Sequence, residues 1–231
     1  MKIGFKNLNL EEGKIKYLDS FFEKLKYTNY SKKIIPFFVE FTKDISVKLD
    51  AIIISKDTIL DLLIDDMERI ESIISKNDIK NKKILNKCME NLENEIPIYD
   101  IDLSPEDKNY IKQLSLISDR PIIKVSDPEN ININSIIELV LDKLNYMFFY
   151  TIGQKESKSW LVHKQSTILE CANHIHTDLA IGFIRGEVLT FDECFKNDKF
   201  IREAPRIVDR NYIVKPNEIL NIRFSVSKKI K

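Results

Sequence analysis

The chain has 231 residues, 43% hydrophobic and 31% charged, with 36 basic side chains against 36 acidic ones. This is the composition of a globular protein with room for one large domain or two small ones. No apolar run approaches the roughly 20 residues of a membrane span, and the opening MKIGFKNLNLEEGK lacks a signal peptide's apolar core; a cytoplasmic protein with no membrane partner is expected. Three widely spaced cysteines, Cys88, Cys171 and Cys194, fit reduced thiols. Residues 1–144 hold 22 Lys+Arg against 26 Asp+Glu, and 145–231 hold 14 against 10. The mildly basic tail permits a nucleic-acid partner but does not demand one.

Taken in order, residues 1–54 read as mixed α/β. Leu18, Phe21, Phe22 and Leu25 have helical spacing within Tyr17–Lys26. Lys33–Phe41 and Val47–Ile54 read as strands, the second buried on both faces. Leu60, Leu63, Met67, Ile70 and Ile74 then form a stripe that leaves Asp65, Asp66, Glu68, Arg69 and Glu71 outward. Leu85, Cys88 and Leu92 resume it after the polar break Lys76-Asn77-Asp78. The two stripes predict an antiparallel helical hairpin over about 57–95, packed like a short coiled coil.

Ser104-Pro105-Glu106-Asp107 opens a helix to about Leu114, with a capping serine and proline at the first helical position. Pro121–Val125 reads as a buried strand and Asn134–Leu144 as an amphipathic helix, so the front half predicts a parallel sheet with crossover helices. Beyond a junction near Asn145, Met147–Ile152 and Glu156–Val162 read as strands. Thr167 with Glu170 is a capping box opening a helix over Ile168–His176, and Ile184–Phe191 returns to a strand pattern. Lys215-Pro216-Asn217-Glu218 reads as a turn between strands at Tyr212–Val214 and Ile219–Val226.

Several side chains carry competing readings. Cys171, His174, His176 and Cys194 invite a metal, but His176 leaves the helix face shared by 171 and 174 and no second paired cluster follows; no metal is expected, and His176 with Asp178 is assigned to the turn after the helix. Cys171 among apolar neighbours reads as a core thiol. Lys158 shares a strand face with Trp160, Arg185 shares one with Glu187, and Arg223 alternates with Ile222 and Phe224. A basic sheet face with one aromatic, built from Lys155, Lys158, Trp160, Lys164, Arg185 and Arg223, is a candidate RNA or partner platform. Ordinary solvated charge is the competing reading for each residue.

Residues 150–226 resemble the C-terminal TGS-type domain of the YchF class of Obg-related ATPases. The matching residues are Gly153, Lys155-Glu156, Trp160, Ala172, Ile175-His176-Thr177-Asp178, Gly182-Phe183-Ile184-Arg185, Glu187-Val188, Tyr212, Val214, Arg223-Phe224 and Val226. Lys158 stands where the family usually has arginine, and Asn217 where it has glycine. The front resembles the family more thinly, through Met1-Lys2-Ile3-Gly4, KKIIPFFVEF, LLIDDMERIESII and LSPEDKNYIKQLSLISDRPIIKV. The resemblance implies an α/β fold: a remnant P-loop-GTPase-like parallel sheet with a helical hairpin over residues 1–144, then a ubiquitin-like β-grasp TGS domain over 145–231. His176, Thr177, Asp178, Gly182, Phe183 and Arg185 are its signature there.

The nucleotide elements depart from the family pattern. A phosphate-cradling loop needs glycine, four residues, Gly-Lys and a hydroxyl for Mg²⁺. Gly13-Lys14 is present, but Leu8 and Ile15 stand at the outer positions, with Glu11 and Glu12 between. The second loop reads Thr42-Lys43-Asp44-Ile45-Ser46 without glycine, and the base-reading segment is Asp127-Pro128-Glu129-Asn130. Gly13, Lys14, Asp44 and Asp127 are thus read as a degenerate site. The expectation is a non-hydrolysing, pseudo-GTPase-like binding protein, not an enzyme and without a cofactor, whose family implies an RNA, ribosome or regulatory-nucleotide partner. One alternative is residual ATPase or GTPase activity with Mg²⁺ around Gly13-Lys14 and Asp44; another is a protein–protein adaptor acting through the hairpin.

Overall fold

The computed structural model describes residues 1–17, 19–27, 30–46, 48–76, 81–196, 199–200 and 204–225. The chain divides into two units: residues 1–15 with 39–140, and residues 16–38 with 141–231. The segment 16–38, expected with the front domain, therefore groups with the tail.

The first unit centres on a five-stranded sheet in the order β2-β4-β1-β5-β6, from β1 (Lys2–Lys6), β2 (Gly13–Tyr17), β4 (Phe37–Thr42), β5 (Ala51–Ser55) and β6 (Ile122–Val125). β1 runs parallel to β4 and to β5, and β5 parallel to β6, which is the parallel α/β arrangement expected. All five residues of β5 are buried, as a near-continuous apolar run requires. The expected strand over Val47–Ile54 starts later, and Val47 lies outside the described residues. Here Asp50 turns the chain, its carboxylate accepting from the Lys2 backbone N–H at 2.7 Å.

The expected strand over Lys33–Phe41 is cut at Pro36 into β3 (Ile34–Ile35) and β4, which join different sheets. Proline has no N–H for a ladder and suits such a crossing point. The helix expected over Tyr17–Lys26 begins later, as α1 (Ser20–Tyr27), because Tyr17 ends β2 and Asp19 accepts from the Phe22 N–H at 2.9 Å.

α2 (Ile59–Ser75) and α3 (Lys82–Glu93) supply the helical pair; Asn77 and Asp78 of the predicted break lie outside the described residues. The pair is not a self-contained coiled-coil seam. Ile59, Leu62, Leu63, Ile70, Leu85, Cys88 and Leu92 share one core with Ile52 and Ile54 of β5 and with Ile98 and Ile111. The stripe is rotated from its predicted position: Leu60 is 42% exposed, and Asp66, expected outward, is 2% exposed. The Asp66 carboxylate accepts from the backbone N–H of Ile117 and Ser118, each at 2.7 Å, and from the Ser118 hydroxyl at 2.6 Å. A buried carboxylate is tolerable only with such donors. α4 (Pro105–Gln113) starts as read, Ser104 accepting from the Asp107 N–H at 3.1 Å, and α5 (Ile133–Lys143) follows β6.

The second unit holds, among the described residues, a six-stranded sheet in the order β12-β9-β13-β7-β8-β3. β7 (Tyr146–Ile152) and β8 (Ser157–His163) form a hairpin, α6 (Ile168–Ile175) and α7 (Thr177–Ile181) follow, then β9 (Phe183–Leu189) and α8 (Phe191–Cys194). β10 (Phe195–Lys196) pairs with β11 (Lys199–Phe200). β12 (Arg206–Val208) then pairs with β9, and β13 (Ile219–Phe224) inserts between β9 and β7, parallel to β7. The hairpin, packed helix and parallel last strand form the β-grasp arrangement the resemblance implies. The expected strand at Tyr212–Val214 is reduced to a single bridge between Ile213 and Thr167, and Val226 lies outside the described residues. Asn217 has φ 63°, the positive angle asparagine tolerates best after glycine.

One sheet face packs under α6 and α7 through Met147, Phe149, Val162, Cys171, Ala172, Phe183, Val188 and Leu220. The other face is anchored by Tyr150, whose ring stacks on Phe21 at 4.4 Å and whose hydroxyl donates to Asp19 at 2.5 Å. Burial raises the Asp19 carboxyl above its ordinary range, against the hydrogen bond from Tyr150. Burial also pushes the Tyr150 phenol far above its own range.

Asp66→Ala is expected to remove about 3 kcal/mol, because it leaves Ser118 and two backbone N–H groups without acceptors; urea denaturation measures it. Tyr150→Phe is expected to cost about 2 kcal/mol, because it leaves Asp19 with its backbone donor Phe22 but removes the hydroxyl that meets its other oxygen. Asp19, with a raised folded value, stabilises most below its unfolded value near 3.8 and loses that contribution as pH rises through the folded value. The stability of the wild type relative to Asp19→Asn should therefore fall from acid to neutral pH.

Candidate functional site

The six basic and aromatic candidates do not share one face. Strand pairing places Trp160 opposite Phe149 and Lys158 opposite Thr151, on the face that α6 covers. Arg223 is directly opposite Arg185, and Asn221 opposite Glu187, on the Tyr150 face. The expected single platform is therefore divided in two.

On the helix-covered face, the Lys158 ammonium lies 3.5 Å from the Trp160 ring centroid, a close cation–π contact. The indole N–H donates to the Thr151 hydroxyl at 2.9 Å, and His174 packs edge-on against the ring at 6.1 Å. Trp160 is thus clamped in position at the border of the core. Lys155 is exposed in the β7–β8 turn, and Lys164, beyond the far end of β8, is ion-paired with Asp142.

On the opposite face, Glu187 is 6% exposed. Its Oε1 accepts from the Arg223 Nε–H at 2.8 Å and lies 3.6 Å from Arg185 Nη2. Its Oε2 accepts from the Asn221 amide at 2.7 Å. The Arg223 hydrogen bond, the Asn221 amide and the two guanidinium charges hold the Glu187 carboxyl below its usual range, against desolvation. Beside this group lies a small cleft lined by Tyr30, Ile152, Leu189, Pro205 and Ile219. Glu187 and Asn221 were not singled out from the sequence as site residues; the signal was the in-phase spacing of Arg185 and Glu187, but their partner strand was not readable.

The signature residues serve the local fold. The capping box at Thr167 and Glu170 forms as expected. His176 Nδ1 accepts from the Asp178 N–H at 3.1 Å and caps α7, which begins at Thr177. Gly182 approaches the last strand so closely that its carbonyl accepts from the Ser225 N–H at 2.8 Å, and Phe183 is buried against α6 and α7. Cys171 is fully buried, and desolvation pushes its thiol up to about 12, as a core thiol requires.

In the first unit, Gly13 and Lys14 lie in β2, an edge strand, not in a loop leading to a helix. Glu12 accepts from the Lys43 N–H at 2.6 Å and from the Thr42 hydroxyl at 3.1 Å, which lowers its pKa. Its carboxylate takes the donors at the end of β4 that an anion would need. Asp44 turns back on Ser46, accepting from its N–H at 3.0 Å and hydroxyl at 2.6 Å. Asp127 is held low chiefly by the Asn130 side chain, 3.0 Å away. It follows β6, three strands from β4, about 14 Å along the sheet. Residues 7–15 therefore do not fit a triphosphate cradle, and the four remnant residues are not gathered around one point.

Residues 146–225 match the family YchF-GTPase_C, described as a protein of unknown function (DUF933). The ribosome-binding ATPase YchF of Mycoplasma genitalium is 33% identical over 100 residues, covering 41% of this chain and 27% of that protein. Its counterpart in Haemophilus ducreyi is 34% identical over 102 residues, covering 42% and 28%. The Bacillus subtilis protein of the same name is 23% identical, covering 79% of this chain and 69% of its own. The chain thus matches less than a third of the length of the first two. The solved YchF GTPase of Schizosaccharomyces pombe superposes with a TM-score of 0.72 at 15% identity, covering 96% of this chain and 97% of that one. The resemblance to the YchF class and its mixed α/β fold is confirmed. The expectation that the chain is not an enzyme is overturned, because these relatives are named ATPases and GTPase.

A Cβ at Gly182 would lie 2.2 Å from the Ser225 carbonyl oxygen and 3.2 Å from that of Asp178. Gly182→Ala is expected to cost about 3 kcal/mol, since backbone cannot yield as a side chain can; thermal unfolding followed through the fluorescence of the lone Trp160 measures it.

Proposed function

We propose that this chain is a ribosome-associated protein of the YchF type, with the contact made by its C-terminal unit. In this reading residues 1–15 with 39–140 form a GTPase-like α/β domain, and residues 16–38 with 141–231 form the TGS-like unit that recognises ribosomal RNA. The observation that carries it is the family match over 146–225, joined to relatives named for ribosome binding. The mildly basic charge of this segment and its clamped Lys158–Trp160 pair are suited to an RNA partner. A second reading is ATP or GTP turnover with Mg²⁺, supported by the same relatives' names. It would need phosphate contacts other than those of residues 7–15 as they are folded here.

Sedimentation with purified ribosomes through a sucrose cushion tests the first reading. The protein is expected in the ribosomal pellet, and in the supernatant once salt is raised, as counterion release requires. A protein that stays in the supernatant at low salt would sink it. Phosphate release from ATP and GTP, measured with and without ribosomes and Mg²⁺, tests the second; no release above buffer in any combination would end it.

A further inference from the structure

The Tyr150 face of the six-stranded sheet carries an arrangement that folding alone disfavours. Arg185 and Arg223 stand directly opposite each other on β9 and β13, and like charges in that relation repel. Glu187, beneath them and 6% exposed, supplies one negative charge for the two. Its oxygens are committed to Arg223, Arg185 and Asn221, so the local charge stays at about +1. The guanidinium groups face water, with side chains 50% and 55% exposed. Arg223 meets Glu187 through its Nε–H at 2.8 Å, and its guanidinium carries four further N–H donors.

Two further features mark the place. The strand register shifts between Arg223 and Phe224, and such irregularities re-aim side chains beside binding sites. Across β9 from Asn221, Ile207 on β12 pairs with Glu187 and is 65% exposed, extending a flat surface next to the charges.

We propose that Arg185 and Arg223 form a fork for the phosphodiester backbone of single-stranded RNA, held in geometry by the buried Glu187 as a positioning residue. Guanidinium planes match phosphate oxygens two at a time, and a lysine cannot. An anion between the two arginines removes their repulsion, so the ligand completes the charge balance that Glu187 leaves open. The site is separate from Lys158 and Trp160, which lie on the other sheet face. The inference rests on the ribosomal RNA reading above and gives it a particular contact.

The test uses the full chain and a fluorescein-labelled single-stranded RNA oligonucleotide, followed by anisotropy. Arg223→Ala and Arg185→Ala are each expected to weaken binding about tenfold and to lower the salt slope by about 0.7. The double variant Arg185→Lys with Arg223→Lys keeps both charges and the neutralisation of Glu187, so it should fold, yet it should bind several-fold more weakly. Full affinity in that variant overturns the fork. Glu187→Gln separates orientation from charge: weaker binding supports positioning, whereas tighter binding, as an added net positive charge alone would give, overturns it. Co-sedimentation with ribosomes but no binding of RNA by the wild type sinks this site and leaves the ribosome reading standing. RNA binding that is lost in the arginine variants, without co-sedimentation, sinks the ribosome reading and keeps the site.

Discussion

Tyr150 is completely buried, so its hydroxyl must find a partner inside the protein, and Asp19, 131 residues earlier in the chain, supplies it. The same tyrosine packs against Phe21 and Phe22, and its hydroxyl also lies 3.3 Å from the Asn217 side chain. Segment 16–38 is thereby held in the second unit by an aromatic cluster with one polar link at its centre. Nearby, the Ser31 hydroxyl donates to the Gly153 carbonyl at 2.8 Å, and the Ser157 N–H donates to the Lys33 carbonyl at 2.9 Å. A polar pair this deep stabilises only if both members are satisfied, which ties the position of α1 to that of β7.

Glu187 answers the same constraint on the exposed part of that sheet face. Its burial is tolerable because two arginines and an amide surround it. A surface arginine is ordinarily a mobile charge, but one fixed by a buried carboxylate presents its remaining donors in a set direction. Trp160 on the opposite face is treated similarly, with Thr151, His174 and Lys158 fixing its ring. The C-terminal unit thus offers two distinct ordered features where the sequence suggested one continuous platform.

The first unit shows how differently a buried sheet and the loops at its strand ends are held. The parallel core of β1, β4, β5 and β6 is intact, with Ile3, Phe5, Val39, Phe41 and Ile52 to Ile54 all buried. The chain passes from β1 to β2 through residues 7–12 with no helix between them, and Glu12 satisfies the backbone at the end of β4. Buried apolar strands are held by packing, whereas strand-end loops are held only by a few hydrogen bonds. The parallel core therefore rests on buried apolar side chains and not on the path of residues 7–12.

Features governed by neighbours in sequence were legible from the sequence. The capping box at Thr167 and Glu170, the Ser104-Pro105 helix start, the positive φ at Asn217 and the two-sided burial of β5 each follow from a few adjacent residues. So did the family resemblance, since its signature His176 to Arg185 is one contiguous stretch of caps, a close-approaching glycine and a strand. The tertiary structure decided the rest. Asp66 reads as a surface acid until the loop at Ile117 and Ser118 is brought to it. Pro36 reads as part of a strand until the two sides of it are seen to join different sheets. Arg185 and Arg223 meet only because β13 inserts beside β9, and strand register, set by burial of the opposite face, places them directly across from each other. Periodicity states which residues of one strand share a face; only pairing states which residues of another strand they will meet.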